Sequence, residues 1–323
     1  MATVAEDLQS LSTKIFHDPG DNEHPESVIF GWENQWEYLP ESRLFDLSRQ
    51  SPRTLTLPNY EANATYQGIK VDPQQTCLVI VDMQNYFIDP EYCLHPPGLA
   101  AVGPLLQAIE RCRREGIQIV WLNWVTNERE MRKVPPAVLR CFNRARANER
   151  NHGWGVNLGT ELPNGRGRVL FEGTRNADLY GPLKAAVMPD DIFCRKSRMS
   201  GSWSMEEDLN RYLVASGKKT IFFSGINTDQ CVLSTITDAH SWGWDCILLK
   251  DCSGTLTSPA AQSVAEYNIA TCIGFVSESK ALIEAKAEGP CGGLLRHDSG
   301  VEFVDSAMGS EVDSCSEDGM STA

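Results

Sequence analysis

No two cysteines are spaced as CxxC, the six histidines do not cluster, and no apolar run approaches the ~20 residues that a membrane-spanning helix needs. The first two gaps leave a structural zinc site with little support, and the third argues against a bilayer span. The N-terminal MATVAEDLQSLSTK lacks the apolar core of a signal peptide. Basic residues are in deficit: 29 Lys and Arg stand against 43 Asp and Glu, for a net charge of −14 and a pI near 4.9. That balance argues against nucleic acid or an anionic membrane as the main partner. The 11 cysteines are odd in number and scattered, several inside apolar runs, which suits a reducing compartment rather than a disulfide framework. These features predict a soluble, intracellular protein located in the cytoplasm.

What is present is enough hydrophobic material for a sizeable core, 41% of 323 residues, arranged in a regular alternation from Thr76 onward. TCLVIVDMQNYF opens with a short, β-branched, fully apolar run that stops at Asp82, as a central parallel strand does. Leu99 to Glu115 reads as an amphipathic helix closed by Gly116, and Ile117 to Trp124 as the next buried strand. Asp191 to Arg195 is a short strand with Lys196 at its end, followed by a helix over Ser204 to Ala215. Thr220 to Ser224, then WDCILLKDCSGT, then GFVSESKALIEA continue the pattern, with a helix over Pro259 to Thr271 that has proline at its start. The pattern is that of an α/β fold, a mostly parallel central sheet with helices on both faces.

Three stretches fall outside this alternation. Residues 1–67 form an extension whose aromatic density predicts an irregular arm, packed by Phe30, Trp32, Trp36, Tyr38 and Phe45 on the body or on a neighbouring subunit. Residues 125–173 are polar and glycine-rich, with a helix around Ala137 to Ala147, and read as a lid or interface. Their arginines read as a solvated or subunit-contacting face ahead of a substrate site. Residues 289–323 are acidic and poor in bulky apolar residues, an expected disordered tail. A single domain is thereby predicted over residues 68–288.

One cysteine has a special position. After the strand Thr220 to Ser224 and the break at Gly225, apolar residues Val232, Leu233, Ile236 and Ala239 recur at helical spacing, so Cys231 falls in the first turn of a helix. Unpaired N–H groups and the helix dipole there favour a thiolate, and a low-pKa cysteine is a nucleophile. Taken alone, a cysteine is more often a small core residue than a catalyst. Asp82 and Lys196, however, also fall at carboxyl ends of predicted parallel strands, which places all three at one edge of the sheet. A thiolate can attack a carbonyl carbon, a carboxylate can move its proton, and an ammonium can bias both. A capping Asp82 and a surface Lys196 are the competing readings of each residue by itself.

Three motifs in order, VIVDMQNYF, CRKSRMSGSW and SGINTDQCV followed by TDA, resemble those of the isochorismatase-like cysteine hydrolases. That superfamily includes isochorismatase, nicotinamidase, N-carbamoylsarcosine amidohydrolase and ureidoacrylate amidohydrolase. The resemblance spans roughly residues 70 to 287 and implies a catalytic triad of Asp82, Lys196 and Cys231. It further implies a cis peptide between Ile226 and Asn227 and an oxyanion hole formed by the backbone N–H groups of Asn227 and Cys231. The implied chemistry is hydrolysis of a C–N bond in a small linear amide, carbamoyl or ureido compound through a thioester intermediate.

Two departures from the family pattern matter. Metal-dependent nicotinamidases place an Asp-x-His element after the first strand, and IDPEYCLHPPG lacks it, so no metal and no cofactor are expected. The turn after Lys196 reads SGSWSMEED where relatives resemble SGFF, which offers Trp203 as a pocket wall. Gln84, Asn85, Tyr86, Trp124 and Trp203 are the candidate substrate-binding residues, with ordinary packing the alternative for each. Two other functions stay open at this point: vinyl-ether hydrolysis of isochorismate, and a non-catalytic interaction module. A small-molecule substrate and a homo-oligomer, dimer or tetramer, are the expected partners.

Overall fold

The structure, a computed structural model, describes residues 27–61, 64–144 and 157–290. Among the described residues, twelve strands make two six-stranded sheets. The first part of the chain supplies β1 (Val28–Phe30), β2 (Trp36–Leu39), β3 (Leu44–Asp46), β4 (Thr54–Pro58) and β5 (Gly68–Val71). The second supplies β6 (Thr76–Val81), β7 (Gln118–Trp124), β8 (Ile192–Lys196), β9 (Thr220–Ile226), β10 (Asp245–Gly254), β11 (Phe275–Ser277) and β12 (Lys286–Glu288). Strands β6 to β11 form one sheet in the order β11-β10-β9-β6-β7-β8, every neighbouring pair parallel.

The central strands are apolar throughout because both faces of this sheet are covered. On β6 the pleat sends Leu78 and Ile80 to one face, into a cluster with Leu105, Ile109 and Cys112 of the long helix between β6 and β7. Cys77, Val79 and Val81 point the other way, against Leu209, Leu213, Ile236 and Ala239. All nine described cysteines are free thiols, and most are such core residues. No described helix is long and apolar enough to cross a membrane.

Strand order carries the functional consequence. From β6 the chain steps outward through β7 to β8, then returns to lay β9, β10 and β11 on the opposite side of β6. Connections therefore leave β6 and β9 in opposite directions, and such a reversal opens a crevice beyond the carboxyl ends of the two strands. Gly225 lets these ends approach: its φ is +108°, and a Cβ there would lie 2.1 Å from the Val81 carbonyl oxygen.

The expected irregular arm is corrected for the described residues. Residues 28–58 contain four short strands, joined by β5 and β12 in the order β1-β2-β3-β5-β4-β12. β-rich segments such as TLTLP and WEYL alternate too briefly to stand out in sequence, and β12, one pairing partner of TLTLP, lies at the far end of the chain. The aromatics do pack on the body: Phe45 and Trp36 approach Phe275 of β11 at ring-centroid distances of 5.2 and 5.4 Å, whereas Trp32 is exposed. The expected acidic tail lies outside the described residues from Cys291 onward, as do residues 1–26.

Asp245, at the start of β10, ties the two sheets together. Its buried carboxylate accepts from both terminal nitrogens of Arg49 at 2.8 Å, from Trp36 Nε1 at 2.7 Å and from Thr220 Oγ1 at 2.7 Å. Removing one member of a buried, fully bonded ion pair strands the other, so Asp245→Ala is expected to lower unfolding stability by about 3–5 kcal/mol. Urea denaturation of the variant measures this, and a loss below about 1 kcal/mol, typical of exposed pairs, contradicts the assigned role.

Candidate active site

The first motif turns sharply at its end. Asp82 follows β6 with φ +53°, a left-handed backbone that aspartate adopts more readily than most residues and that is found at functional turns. Its amide donates to the Leu122 carbonyl at 2.9 Å, which ties the turn to β7. The Trp124 N–H donates to Asp82 Oδ1 at 3.0 Å and to Gln84 Oε1 at 2.9 Å. Gln84 Nε2 returns bonds to the carbonyls of Trp124 at 2.9 Å and Ala177 at 2.6 Å. One peptide of β7 thus fixes the carboxylate from outside the strand that carries it.

Lys196, the last residue of β8, registers opposite Trp124 and reaches across the end of β7. Its Nζ lies 2.8 Å from Asp82 Oδ2, with side-chain exposures of 0% and 1%. The ammonium also donates to the carbonyls of Arg198 and Met199 at 3.1 and 3.2 Å and sits 4.1 Å from the centroid of the Trp124 ring. A charge so fully removed from water is held only because every proton has an acceptor or an electron-rich face.

Cys231 belongs to a π-helical turn, Thr228–Val232, that runs into the α-helix Leu233–Ser241. The peptide between Ile226 and Asn227 is cis. Val232 and Gln230 donate their amides to the Asn227 carbonyl at 3.2 and 3.0 Å, folding the turn back on the end of β9. The cysteine side chain is buried and interacts with both Asp82 and Lys196.

Its protonation state corrects the sequence expectation of a low-pKa thiolate. Burial pushes the Cys231 thiol well above its usual range, against the pull of the Lys196 ammonium, and the Asp82 carboxylate adds to the rise. Burial likewise raises the Asp82 carboxyl, with Lys196 opposing. Helix-end N–H groups favour a thiolate, but loss of water around a sulfur beside a carboxylate outweighs them. Burial thus favours the thiol form of Cys231, beside an acid whose proton affinity burial also raises.

The other sequence candidates separate into two pairs and a lone residue. Trp124 and Tyr86 stand near the thiol's apolar surroundings and share Phe142, whose ring is 4.9 Å from Trp124 edge-on and 6.4 Å from Tyr86. Gln84 is fully buried with its amide engaged as described, and Asn85 Nδ2 donates to the Arg175 carbonyl at 2.8 Å; both brace the loops around the acid. Trp203 is half exposed beneath the guanidinium of Arg198.

Two contributors escaped the sequence. Phe142 comes from the helix Pro136–Arg144, close to the helix expected around Ala137 to Ala147, but no local pattern marks this aromatic as a contributor. His95 caps the helix Pro96–Glu115, and the His-Pro-Pro-Gly run before an apolar period was the available signal. Among the described residues, no three His, Cys, Asp or Glu side chains come together as a metal site.

The fold is that of known hydrolases. It superposes with a TM-score of 0.53 on the structure of a cysteine hydrolase from Pseudomonas syringae pv. phaseolicola 1448A, 19% identical, covering 70% of this chain and 95% of that one. An isochorismatase family protein from Desulfovibrio vulgaris subsp. vulgaris str. Hildenborough superposes at 0.50, 19% identical, over 64% of this chain and 96% of its own. The Isochorismatase domain model matches residues 76–281, well over half of the sequence, and the chain belongs to the isochorismatase family of hydrolases.

Proposed function

We propose that this hydrolase cleaves the C–N bond of a small amide, carbamoyl or ureido compound, with Cys231 as nucleophile, Asp82 as proton carrier and Lys196 as the charge that poises them. The observation that carries the reading is the buried Asp82–Lys196 pair, 2.8 Å apart and both in contact with the Cys231 side chain. An idle binding module has no need to hold an acid, an ammonium and a thiol together away from water, because each is costly there.

Asp82 takes the thiol proton as sulfur attacks the carbonyl carbon, so the charge moves from one buried anion to another beside the same ammonium. Backbone N–H groups of Asn227 and Cys231 receive the developing oxyanion. Collapse breaks the C–N bond while Asp82 passes its proton to the leaving amine, and a thioester remains. Water, deprotonated by Asp82, then attacks the thioester and frees the acid and the thiol. Thr228 Oγ1 and Trp124 Nε1 are buried without a hydrogen-bond partner among the described residues, and such groups favour a ligand that bonds to them. They join Tyr86 and Phe142 as substrate contacts in this reading.

A panel of linear amides, carbamoyl compounds, ureides and isochorismate tests it, with ammonia and pyruvate release followed together. Ammonia release is expected, with an acyl group trapped on the Cys231 peptide after acid quench. Pyruvate from isochorismate without an acylated Cys231 contradicts the reading and favours vinyl-ether hydrolysis.

A further inference from the structure

His95 takes no part in the scheme above, yet it is 1% exposed and fully bonded on both ring nitrogens. The Gly98 N–H donates to Nδ1 at 2.8 Å, capping the helix Pro96–Glu115, so Nδ1 carries the lone pair and the proton resides on Nε2. Nε2 lies 2.9 Å from Asn227 Oδ1 and therefore donates to it. Burial lowers the His95 pKa and keeps the ring in this neutral form. The seat is closely built: a Cβ at Gly98 would fall 2.8 Å from His95 Nδ1 and 2.9 Å from Ile88 Cγ2.

The same Asn227 oxygen accepts from the Leu256 N–H at 3.1 Å, beside the Thr255 hydroxyl, whose proton goes to Asp229 Oδ1 at 2.5 Å. Asn227 is thus gripped from the helix end on one side and from the loop after β10 on the other. Two donors arriving from these two elements hold the side-chain oxygen, and with it the orientation of the residue at the turn between β9 and Cys231. We propose that His95 is a positioning residue that orients Asn227, and with it the backbone N–H facing the reacting carbonyl, through the bond from Nε2 to the Asn227 side chain. A misplaced oxyanion donor costs rate while leaving the nucleophile intact.

The inference rests on the covalent role of Cys231, so the experiment separates the two. Two probes react with the same sulfur. With p-nitrophenyl acetate the S–C bond forms at a carbonyl, the C–O bond to nitrophenolate breaks and the thiol proton passes to Asp82, through an oxyanion. Iodoacetamide is displaced at a saturated carbon, where iodide leaves and no oxyanion forms. His95→Asn retains a strong cap for the Gly98 N–H but is too short to reach Asn227. His95→Gln restores the reach.

In His95→Asn, acylation by p-nitrophenyl acetate is expected to slow about 10-fold or more while Cys231 alkylation stays within about twofold of wild type. His95→Gln is expected to recover most of the acylation rate. Equal slowing of both probes makes His95 a structural residue only, and unchanged acylation denies it any role; either result overturns the proposal. Wild-type nitrophenolate release by Cys231→Ala overturns the nucleophile assignment and this inference with it, an outcome read in a different protein from the His95 variants.

Discussion

Cys231→Ala is expected to lower amide turnover by about 10,000-fold or more while the protein keeps its fold. The size of the loss follows from what the sulfur does. Asp82 and Lys196 remain in place without it, held by the Trp124 N–H and by the carbonyls of Arg198 and Met199. A carboxylate could still activate water, but the water would have to reach a carbonyl from the position that the thiol now fills. Residues acting as one unit fail together when one is removed. Stability is a different matter. Alanine removes one buried sulfur, and the turn around it is kept by backbone bonds to the Asn227 carbonyl and by the Thr235 hydroxyl donating to the Cys231 carbonyl at 2.7 Å. A cavity of that size costs about 1 kcal/mol, which a thermal melt resolves as a shift of a few degrees at most. Turnover at the wild-type rate in this variant leaves the thioester without a carrier.

The central sheet and the strand-end placement of Asp82, Lys196 and Cys231 were legible because each obeys a short-range rule. The apolar run before Asp82, the strand ending at Lys196 and the strand, glycine and helix around Cys231 all announce carboxyl ends of parallel strands. The first sheet was not legible. β1 to β4 are three to five residues long, β5 inserts between β3 and β4, and the outer neighbour of β4 is β12, more than 200 residues away, so no local period reports the sheet. The long helix was expected from Leu99 and begins at Pro96, because the cap is a histidine rather than one of the usual small polar residues. The thiol's protonation was misjudged for a physical reason. Sequence position signals the helix end but not the burial, and burial dominates here. Gln84 and Asn85 sit in the expected motif, yet three-dimensional context turns their amides toward the backbone of Trp124, Ala177 and Arg175. Phe142 lies on a helix that only tertiary packing brings to Trp124.

Lys196→Met is expected to lower kcat/KM by about 100- to 1000-fold and, more diagnostically, to move the acid limb of its pH profile to higher pH. Methionine fills the volume of the lysine stem against Trp124 but supplies no charge. In the wild type, burial raises the Asp82 carboxyl and the Lys196 ammonium opposes that rise. Without the ammonium the opposition is lost, and the carboxyl binds its proton more tightly. In the proposed scheme Asp82 must be unprotonated before it accepts the thiol proton, so the pH at which activity appears is expected to climb with the carboxyl pKa. Stability carries the same sign by an independent route. A carboxyl raised in the folded state binds more protons than in the unfolded chain between its ordinary pKa and the raised one, so stability is greatest below the ordinary carboxylate range and falls as pH rises toward the folded value. The variant should therefore lose urea resistance with increasing pH more steeply than the wild type. Two curves, one of rate and one of unfolding, then report on a single proton. An acid limb that stays where the wild type has it would show that Asp82 does not carry the proton that activity requires.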